Sequence, residues 1–89
     1  MARREHMRYY VYLIQSEKDG NYYIGQTDSV KKRLTEHNAG LVKATRHRRP
    51  LKLIGYEVYN SRNEARWREF QLKKHGDKKK KFIEDLTKN

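Results

Sequence analysis

Two short aromatic stretches separated by a polar cluster constrain the fold of this chain more than any other feature. The first runs from Tyr9 to Ile14 (YYVYLI) and the second from Tyr22 to Gln26 (YYIGQ). The segment between them, Glu17 to Asn21, contains Asp19-Gly20, which is a strong signal for a tight turn. Because aromatic and β-branched residues favour extended backbone, the pattern predicts an antiparallel hairpin.

The rest of the chain predicts one more strand and three helices. In order, these are a helix from Thr27 to Gly40, a strand from Leu51 to Tyr59 with Gly55 as a candidate bulge, a helix from about Arg62 to His75, and a last helix carrying Phe82, Ile83 and Leu86. Asp28 or Ser29 suits the start of the first helix, and Ser61-Arg62-Asn63-Glu64 has the form of a capping box. We expect Gly76 to end the second helix and Asp77 to cap the third. The element order is therefore β-β-α-β-α-α.

The charge balance indicates a polyanionic partner. The chain of 89 residues has 22 Lys and Arg against 11 Asp and Glu, a formal charge of +11. Such a field attracts nucleic acid first of all, although a ribosome-associated protein, a membrane-surface binder or a basic surface without a specific partner would have a similar composition. The segment from Leu41 to Pro50 (LVKATRHRRP) concentrates this charge, and we predict that it is a mobile cationic loop.

Length and composition exclude several classes of protein. A chain this short folds as one small domain without a large internal cavity, so a catalytic site must lie on a surface or in a shallow groove. The chain has no Cys, which excludes disulfides and cysteine-based zinc sites. We predict that residues 1–8 are a basic arm, disordered or partly left over from expression, and that residues 9–89 form the domain. No signal peptide or bilayer-spanning run is apparent, so we expect a cytoplasmic location with no membrane partner.

A carboxylate interrupts the apolar stripe of the second helix. At 100° per residue Ala65, Glu69 and Leu72 share one stripe. A buried, unpaired carboxylate is costly, so Glu69 should meet a cation, a hydrogen-bond cluster or a metal, and a salt bridge to an Arg is the favoured alternative. Trp67 and Phe70 point elsewhere, which predicts a second core-facing flank; for Trp67, core packing is favoured over stacking on a base.

Arg33 and His37 are four residues apart on the first helix, so they lie close together beside its apolar stripe. Taken alone, each is more simply explained as a solvated Arg and a partly buried His. Tyr12 and Tyr23 come from paired strands, where Tyr usually serves packing. Together with Glu69, however, they supply what phosphodiester hydrolysis needs: a group that activates water, a cation for the phosphate charge and a carboxylate for a divalent metal.

These residues resemble the motifs of the GIY-YIG nuclease superfamily. Tyr10-Val11-Tyr12 stands where the family has Gly-Ile-Tyr, and Tyr23-Ile24-Gly25 matches the second motif literally. The Arg33 and His37 pair and the Ala65, Glu69 and Leu72-Lys73 series follow in the family's order, so the likeness spans Tyr9 to about Leu86. The chain is similar to the small stand-alone branch, which is related to a catalytic domain of the nucleotide-excision-repair nuclease. The late polar residue of the family, often Asn, has no clear counterpart in the region from Lys78 to Lys81.

The resemblance implies an α/β (α+β) domain with a small three-stranded antiparallel sheet flanked by helices. It also implies a metal-dependent DNA endonuclease, structure-selective and linked to repair or recombination; the alternative is a non-catalytic DNA- or RNA-binding module. Glu69 would bind one Mg²⁺ or Mn²⁺, Tyr12 would act as general base helped by His37 or the metal, Tyr23 would position water or phosphate, and Arg33 would stabilise the pentacovalent phosphate.

Substrate contacts outside the motifs are assigned to the basic residues. The candidate nucleic-acid-binding residues are Arg46, His47, Arg48, Arg49, Lys73, Lys74, Lys78 and Lys79. The expected substrate is branched or flapped DNA, with RNA as the remaining alternative. We expect a monomer, with a protein partner as a candidate means of target selection.

Overall fold

The domain is built on three antiparallel strands. A computed structural model describes residues 7–88 of the chain. The elements are β1 (Tyr9–Ser16), β2 (Tyr22–Thr27), α1 (Val30–Asn38), β3 (Leu51–Tyr59), α2 (Arg62–Lys74) and α3 (Gly76–Thr87), with one turn of 3-10 helix at Arg46–Arg48. The strands have the order β2-β1-β3, and both pairings are antiparallel. The predicted three-stranded α+β fold is therefore confirmed.

The central strand is covered on both faces, which explains its continuous apolar sequence. Residues Val11–Ile14 of β1 are all buried. One face packs against α2 and α3 through Val11, Leu13, Ile24, Ala65, Leu72 and Phe82. The other face packs against α1 through Tyr12, Ile14 and Leu51, with Tyr23, Val30 and Leu34 at its margin. The alternation of side chains along β1 thus divides the core into two clusters.

Local sequence signals account for most element boundaries. Ser29 is the N-cap of α1 and its side chain accepts a hydrogen bond from Lys32 N, while Ser61 does the same for Glu64 N in α2. Gly20 at the hairpin turn has a φ of +77°, which favours glycine. The pairing of β1 with β3 shifts register at Leu13/Ile14, opposite Leu53 and Gly55, so β3 carries the bulge predicted near Gly55.

Three expectations about the helices are wrong. Gly76 does not end α2 and Asp77 does not cap α3: Gly76 is the first residue of α3, and the break between the helices is at His75, whose backbone is extended. Trp67 and Phe70 do not form a second core flank, because both side chains are largely exposed. The apolar surface of this small domain is already covered by Ala65, Leu72 and α3, so no layer remains for them to pack against.

The basic segment before β3 is packed rather than free. Val42 and Thr45 are buried, and Ser16 Oγ donates a 2.6 Å hydrogen bond to the carbonyl of Arg48. The side chain of Asn38 bonds both backbone groups of Leu51, at 2.9 and 2.7 Å, and so ties the end of α1 to the start of β3. The predicted mobile loop is therefore anchored at both ends, because buried polar groups inside it need these partners.

The first six residues of the predicted N-terminal arm lie outside the described residues. No helix between residues 7 and 88 has both the length and the apolar character needed to cross a bilayer.

Candidate active site

Tyr12 is the centre of a buried polar cluster between β1 and α1. Its hydroxyl oxygen lies 2.8 Å from Nε2 of His37 and accepts a 3.4 Å hydrogen bond from Nε of Arg33. The four-residue spacing on α1 puts Arg33 and His37 on the same side of the helix, one turn apart, as the sequence predicts. Helix α1 thus places two side chains, a cation and an imidazole, on one oxygen of a strand that is distant in sequence.

His37 is completely buried, and Thr45 orients its ring. Nδ1 of His37 lies 2.7 Å from the Thr45 hydroxyl, which is also buried. Burial is the main cause that lowers the pKa of His37 to about 4, and the positive charge of Arg33 lowers it further against the opposing carboxylate of Glu36. The imidazole is therefore neutral at pH 7, with one ring nitrogen as donor and the other as acceptor.

Tyr12 is a protonated phenol at neutral pH. Burial raises its pKa to about 12, and this effect outweighs the lowering by the hydrogen bond and charge of Arg33. Because a neutral phenol donates one proton, the consistent arrangement has Tyr12 donating to His37 Nε2 and His37 Nδ1–H donating to Thr45. A lone pair of the Tyr12 oxygen then accepts the hydrogen bond from Arg33.

β2 supplies two residues of the site: Tyr23, and Gly25, which must lack a side chain to leave room for Tyr12. Gly25 pairs with Tyr12 across the hairpin. A Cβ at Gly25 would lie 2.6 Å from Cζ of Tyr12, which is closer than non-bonded carbons approach. The ring of Tyr23 lies 6.4 Å from that of Tyr12 and 5.2 Å from that of His37, edge-on to the latter. The absence of a side chain at Gly25 therefore leaves the space that the phenol of Tyr12 occupies.

Glu69 reaches the same cluster from α2. Its carboxylate forms a 2.8 Å ion pair with Lys73, whose Nζ lies 5.2 Å from the centroid of the Tyr23 ring. The negative charge of Glu69 contributes to the raised pKa of Tyr12, so the two groups act on each other across the site. The Glu69 side chain is 23% exposed, and its cation is a Lys on its own helix rather than one of the Arg residues.

The donor set at Glu69 fits one kind of metal site. Among residues 7–88 no group of three or more His, Asp or Glu side chains is arranged to hold a metal ion. A cation at Glu69 would therefore take its other ligands from water and substrate phosphate. Mg²⁺ and its close relatives bind in this way, through one or two carboxylates and several waters, so the residues present fit such an ion.

The predicted phosphate-binding residues fall into separate groups. Lys73 and Lys74 lie on α2 beside Glu69. Arg48 lies at the hairpin end, where its Nε is 3.4 Å from a carboxylate oxygen of Asp19, and shares a shallow surface pocket with Lys79. Arg46 and His47 belong to the 3-10 turn, Arg49 donates to the Arg46 carbonyl, and Lys78 lies in the first turn of α3.

Two residues near the cluster were missed by the sequence analysis. Thr45 lies in an irregular segment and has no sequence signal. Arg62 has one, because it precedes Glu69 by seven residues, or two helical turns, on the same face of α2. With Lys32 and Arg33 it lines a polar pocket of about 180 Å³, in which Arg62 lies 3.8 Å from Asp28.

Comparison with known proteins decides the family. The model of the GIY-YIG catalytic domain matches residues 8–82. The chain belongs to the GIY-YIG family. Membership places it in a superfamily of nucleases, whose substrates are nucleic acids and which generally use a divalent metal.

Its relatives include small proteins of the UPF0213 group. A UPF0213 protein of Staphylococcus haemolyticus is 39% identical over 80 residues, covering 88% of this chain and 96% of the relative. One from Halobacterium salinarum is 44% identical over 66 residues, covering 73% and 84%. The solution NMR structure of a UPF0213 protein from Bacillus halodurans is similar in fold, with a TM-score of 0.55 and 33% identity over 90% of this chain and 85% of that one.

Proposed function

We propose that this GIY-YIG protein is a metal-dependent endonuclease that hydrolyses DNA phosphodiester bonds, with a preference for branched or flapped structures and a role in repair or recombination. The observation that carries the proposal is the pair of contacts on one phenol oxygen: the Tyr12 hydroxyl is bound by both His37 and Arg33, and the charge of Glu69 acts on it from α2. A structural tyrosine needs one hydrogen-bond partner, whereas this one has a proton acceptor and a fixed cation.

Tyr12 is the general base in this mechanism. It takes a proton from the attacking water while its own hydroxyl proton moves to Nε2 of His37. The water oxygen forms a bond to phosphorus as the bond to the leaving oxygen breaks, and Arg33 stabilises the charge on the phosphate in between. Thr45 holds the His37 ring so that Nε2 stays directed at Tyr12 throughout.

Substrate binding itself makes His37 a better acceptor. The positive charge of Arg33 is one cause of the low pKa of His37. A phosphate paired with Arg33 offsets that charge, so the pKa of His37 rises as the substrate arrives. Burial, the larger cause, is unaffected, so the shift is partial.

Glu69 would hold the divalent cation. When bound there, such an ion would lower the pKa of water and neutralise charge on the phosphate. The ammonium group of Lys73 is paired with this carboxylate. For a cation to bind there, Lys73 would have to move away or bind a phosphate oxygen instead. The 48% exposure of the Lys73 side chain leaves it free to do so.

The test is cleavage by the Glu69→Gln variant. We expect wild-type protein to cut end-labelled flap, four-way or duplex DNA with Mg²⁺ or Mn²⁺ and not with EDTA, and Glu69→Gln to lose cleavage while keeping nearly unchanged DNA affinity. Glu64→Gln is the matched control, since this residue is exposed on the same helix and the helical spacing points it away from Glu69.

Three results would contradict the proposal. Unchanged cutting by Glu69→Gln would assign the activity to another site or a contaminant. Tight, salt-sensitive DNA binding without cleavage of any substrate would indicate a binding module. A large preference for RNA over branched DNA in competition at equal salt would overturn the substrate assignment.

A further inference from the structure

The outer face of α2 carries two aromatic side chains that the core does not use. Trp67 is 60% exposed and Phe70 is 51% exposed. Their rings are stacked, with centroids 5.7 Å apart and planes inclined by 22°. Leaving this much aromatic surface in water forgoes the stabilisation that burial supplies, so packing does not explain the pair. We call Trp67 and Phe70 the aromatic platform.

The side of the platform that faces Glu69 is cationic, whereas the exposed Glu64 lies one turn before Trp67 on the other side. Nζ of Lys74 lies 5.4 Å from the centroid of the Phe70 ring. At 100° per residue, Arg66 and Lys73 fall on the strip of helix surface between Glu69 and Phe70, and both are exposed. The helix surface that runs from Glu69 past Phe70 to Trp67 carries no carboxylate other than Glu69. Exposed aromatic rings surrounded by Lys and Arg are suited to stacked bases with neighbouring phosphates.

The platform is close enough to the site to contact the same nucleic-acid strand. Glu69 and Phe70 are adjacent in sequence, and Lys73 links Glu69 to the ring of Tyr23. The path from Glu69 to the platform crosses one flank of a helix about 10–12 Å wide. At about 3.4 Å per nucleotide along a stacked strand, a base roughly two or three nucleotides from the phosphate at Glu69 reaches the platform.

We propose that Trp67 and Phe70 form a stacking platform for an unpaired base of the substrate, so that the preferred substrates carry a single-stranded segment beside the cut. A base inside a duplex has no free face, whereas any unpaired base presents one to an aromatic ring. The platform selects strand structure and tolerates sequence. The position beside the cut rests on the proposed nuclease function, but the binding of an unpaired base does not.

Trp67 makes the test direct, because it is the only Trp in the chain. Its fluorescence is titrated in EDTA with a single-stranded oligothymidylate, a blunt duplex with the same number of nucleotides, and a flap substrate. We expect saturable quenching by the single strand and the flap, and little quenching by the blunt duplex at the same salt concentration. Equal quenching by duplex and single strand would overturn the proposal.

Variants separate stacking from general charge attraction. Trp67→Ala and Phe70→Ala should each weaken binding of a labelled single strand about tenfold, measured by anisotropy, with blunt-duplex binding nearly unchanged. Trp67→Phe should retain most of the affinity. Tyr56→Ala is the control, because this aromatic residue is also exposed but lies on β3. Wild-type single-strand affinity in Trp67→Ala would overturn the proposal and assign the platform to another partner, such as a protein.

The two proposals fail in different ways. A protein that cuts flap DNA with metal but whose Trp67 fluorescence does not respond to single strands would retain the nuclease function and lose the platform. Strand-dependent quenching by a protein that cuts nothing would keep the platform and overturn the nuclease.

Discussion

Tyr12 and His37, which are 25 residues apart in the chain, share a 2.8 Å hydrogen bond in the buried angle between β1 and α1. Burial raises the pKa of Tyr12 to about 12 and lowers that of His37 to about 4, so both partners are neutral at physiological pH. A neutral pair is what a low-dielectric site tolerates, because moving the proton from Tyr12 to His37 without a substrate would create two buried charges. The proton therefore stays on Tyr12 in the free protein. The negative charge of a bound phosphate then favours its transfer to His37.

Replacing Tyr12 by Phe should abolish cleavage with a modest loss of stability. The variant lacks the oxygen that accepts the water proton, so we expect a fall in the single-turnover rate of about a hundredfold to ten-thousandfold. It also leaves buried Nε2 of His37 without its partner, which costs about 1–3 kcal/mol in urea unfolding. Tyr22→Phe on the same hairpin is the control, and DNA affinity should be nearly unchanged in both. A Tyr12→Phe enzyme with near wild-type rate would exclude Tyr12 as the base.

Adding one methyl group at Gly25 should damage both fold and site. The new Cβ of Gly25→Ala meets the phenol of Tyr12, which is held by His37 and Arg33 and has no room to move. We expect a loss of about 1–3 kcal/mol in the free energy of unfolding, together with loss of cleavage.

The matched control for Gly25 is Gly76→Ala. Gly76 lies in the first turn of α3 with nothing within 4 Å of its added Cβ, so the substitution should be neutral or stabilise by up to about 1 kcal/mol. Equal effects at the two glycines, measured by thermal unfolding, would show that the Tyr12 phenol is not fixed.

The fold was predictable because each of its elements has a local signal. The Asp19-Gly20 turn, the Ser61 cap and the apolar stripe of α2 each act within a few residues, and the structure contains all three. The helix break at His75 was misplaced because a glycine can either end a helix or begin the next. Whether Trp67 and Phe70 are buried depends on how much of the α2 surface α3 covers, and helical periodicity alone does not predict that.

The candidate site was predictable only in part, for the same reason. Helical spacing brings Arg33 beside His37, and the strand pairing brings Tyr12 to Gly25. The partners of those groups come from elsewhere: Thr45 lies in a segment without regular structure, and its contact with His37 depends on the path of the whole basic segment. Charge composition predicted a mobile loop there, but the buried hydroxyl of Thr45 needs a partner and finds it in the imidazole.

The partly buried ion pair of Arg68 and Glu57, on the opposite face of the sheet from Tyr12, should contribute more to stability than a fully exposed ion pair. Arg68 donates two hydrogen bonds to Glu57, at 2.9 and 3.1 Å, and Tyr59 donates a third to the same carboxylate. Burial and the Glu57 charge raise the pKa of Tyr59 to about 12, so it remains a donor over the working pH range. Because Lys lacks the planar fork, Arg68→Lys should lose about 1 kcal/mol in urea unfolding.

The comparison for Arg68 is the exposed pair of Lys81 and Asp85, which are 3.5 Å apart on α3. Asp85→Asn should change the free energy of unfolding by less than about 0.5 kcal/mol. If Arg68→Lys is equally silent, the three-residue cluster on β3 and α2 contributes no more than a surface contact.

Acid should destabilise the protein through protonation of His37. The pKa of His37 is about 4 in the fold, against a usual value of about 6.5 that it regains on unfolding. Between these values the unfolded chain binds a proton that the folded chain does not, so stability is full above pH 6.5 and falls as the pH drops toward 4. From pH 8 to pH 5 this one group should remove about 2 kcal/mol from the free energy of unfolding.

Urea titrations of wild-type and His37→Gln proteins isolate the effect, because the variant keeps every other titrating group, including Arg33 and Glu36 beside the ring. The wild-type protein should lose about 2 kcal/mol more than the variant over this range. Parallel pH profiles would mean that His37 takes up a proton as readily in the fold as in the unfolded chain, and they would contradict the neutral Tyr12–His37 pair on which the proposed proton transfer depends.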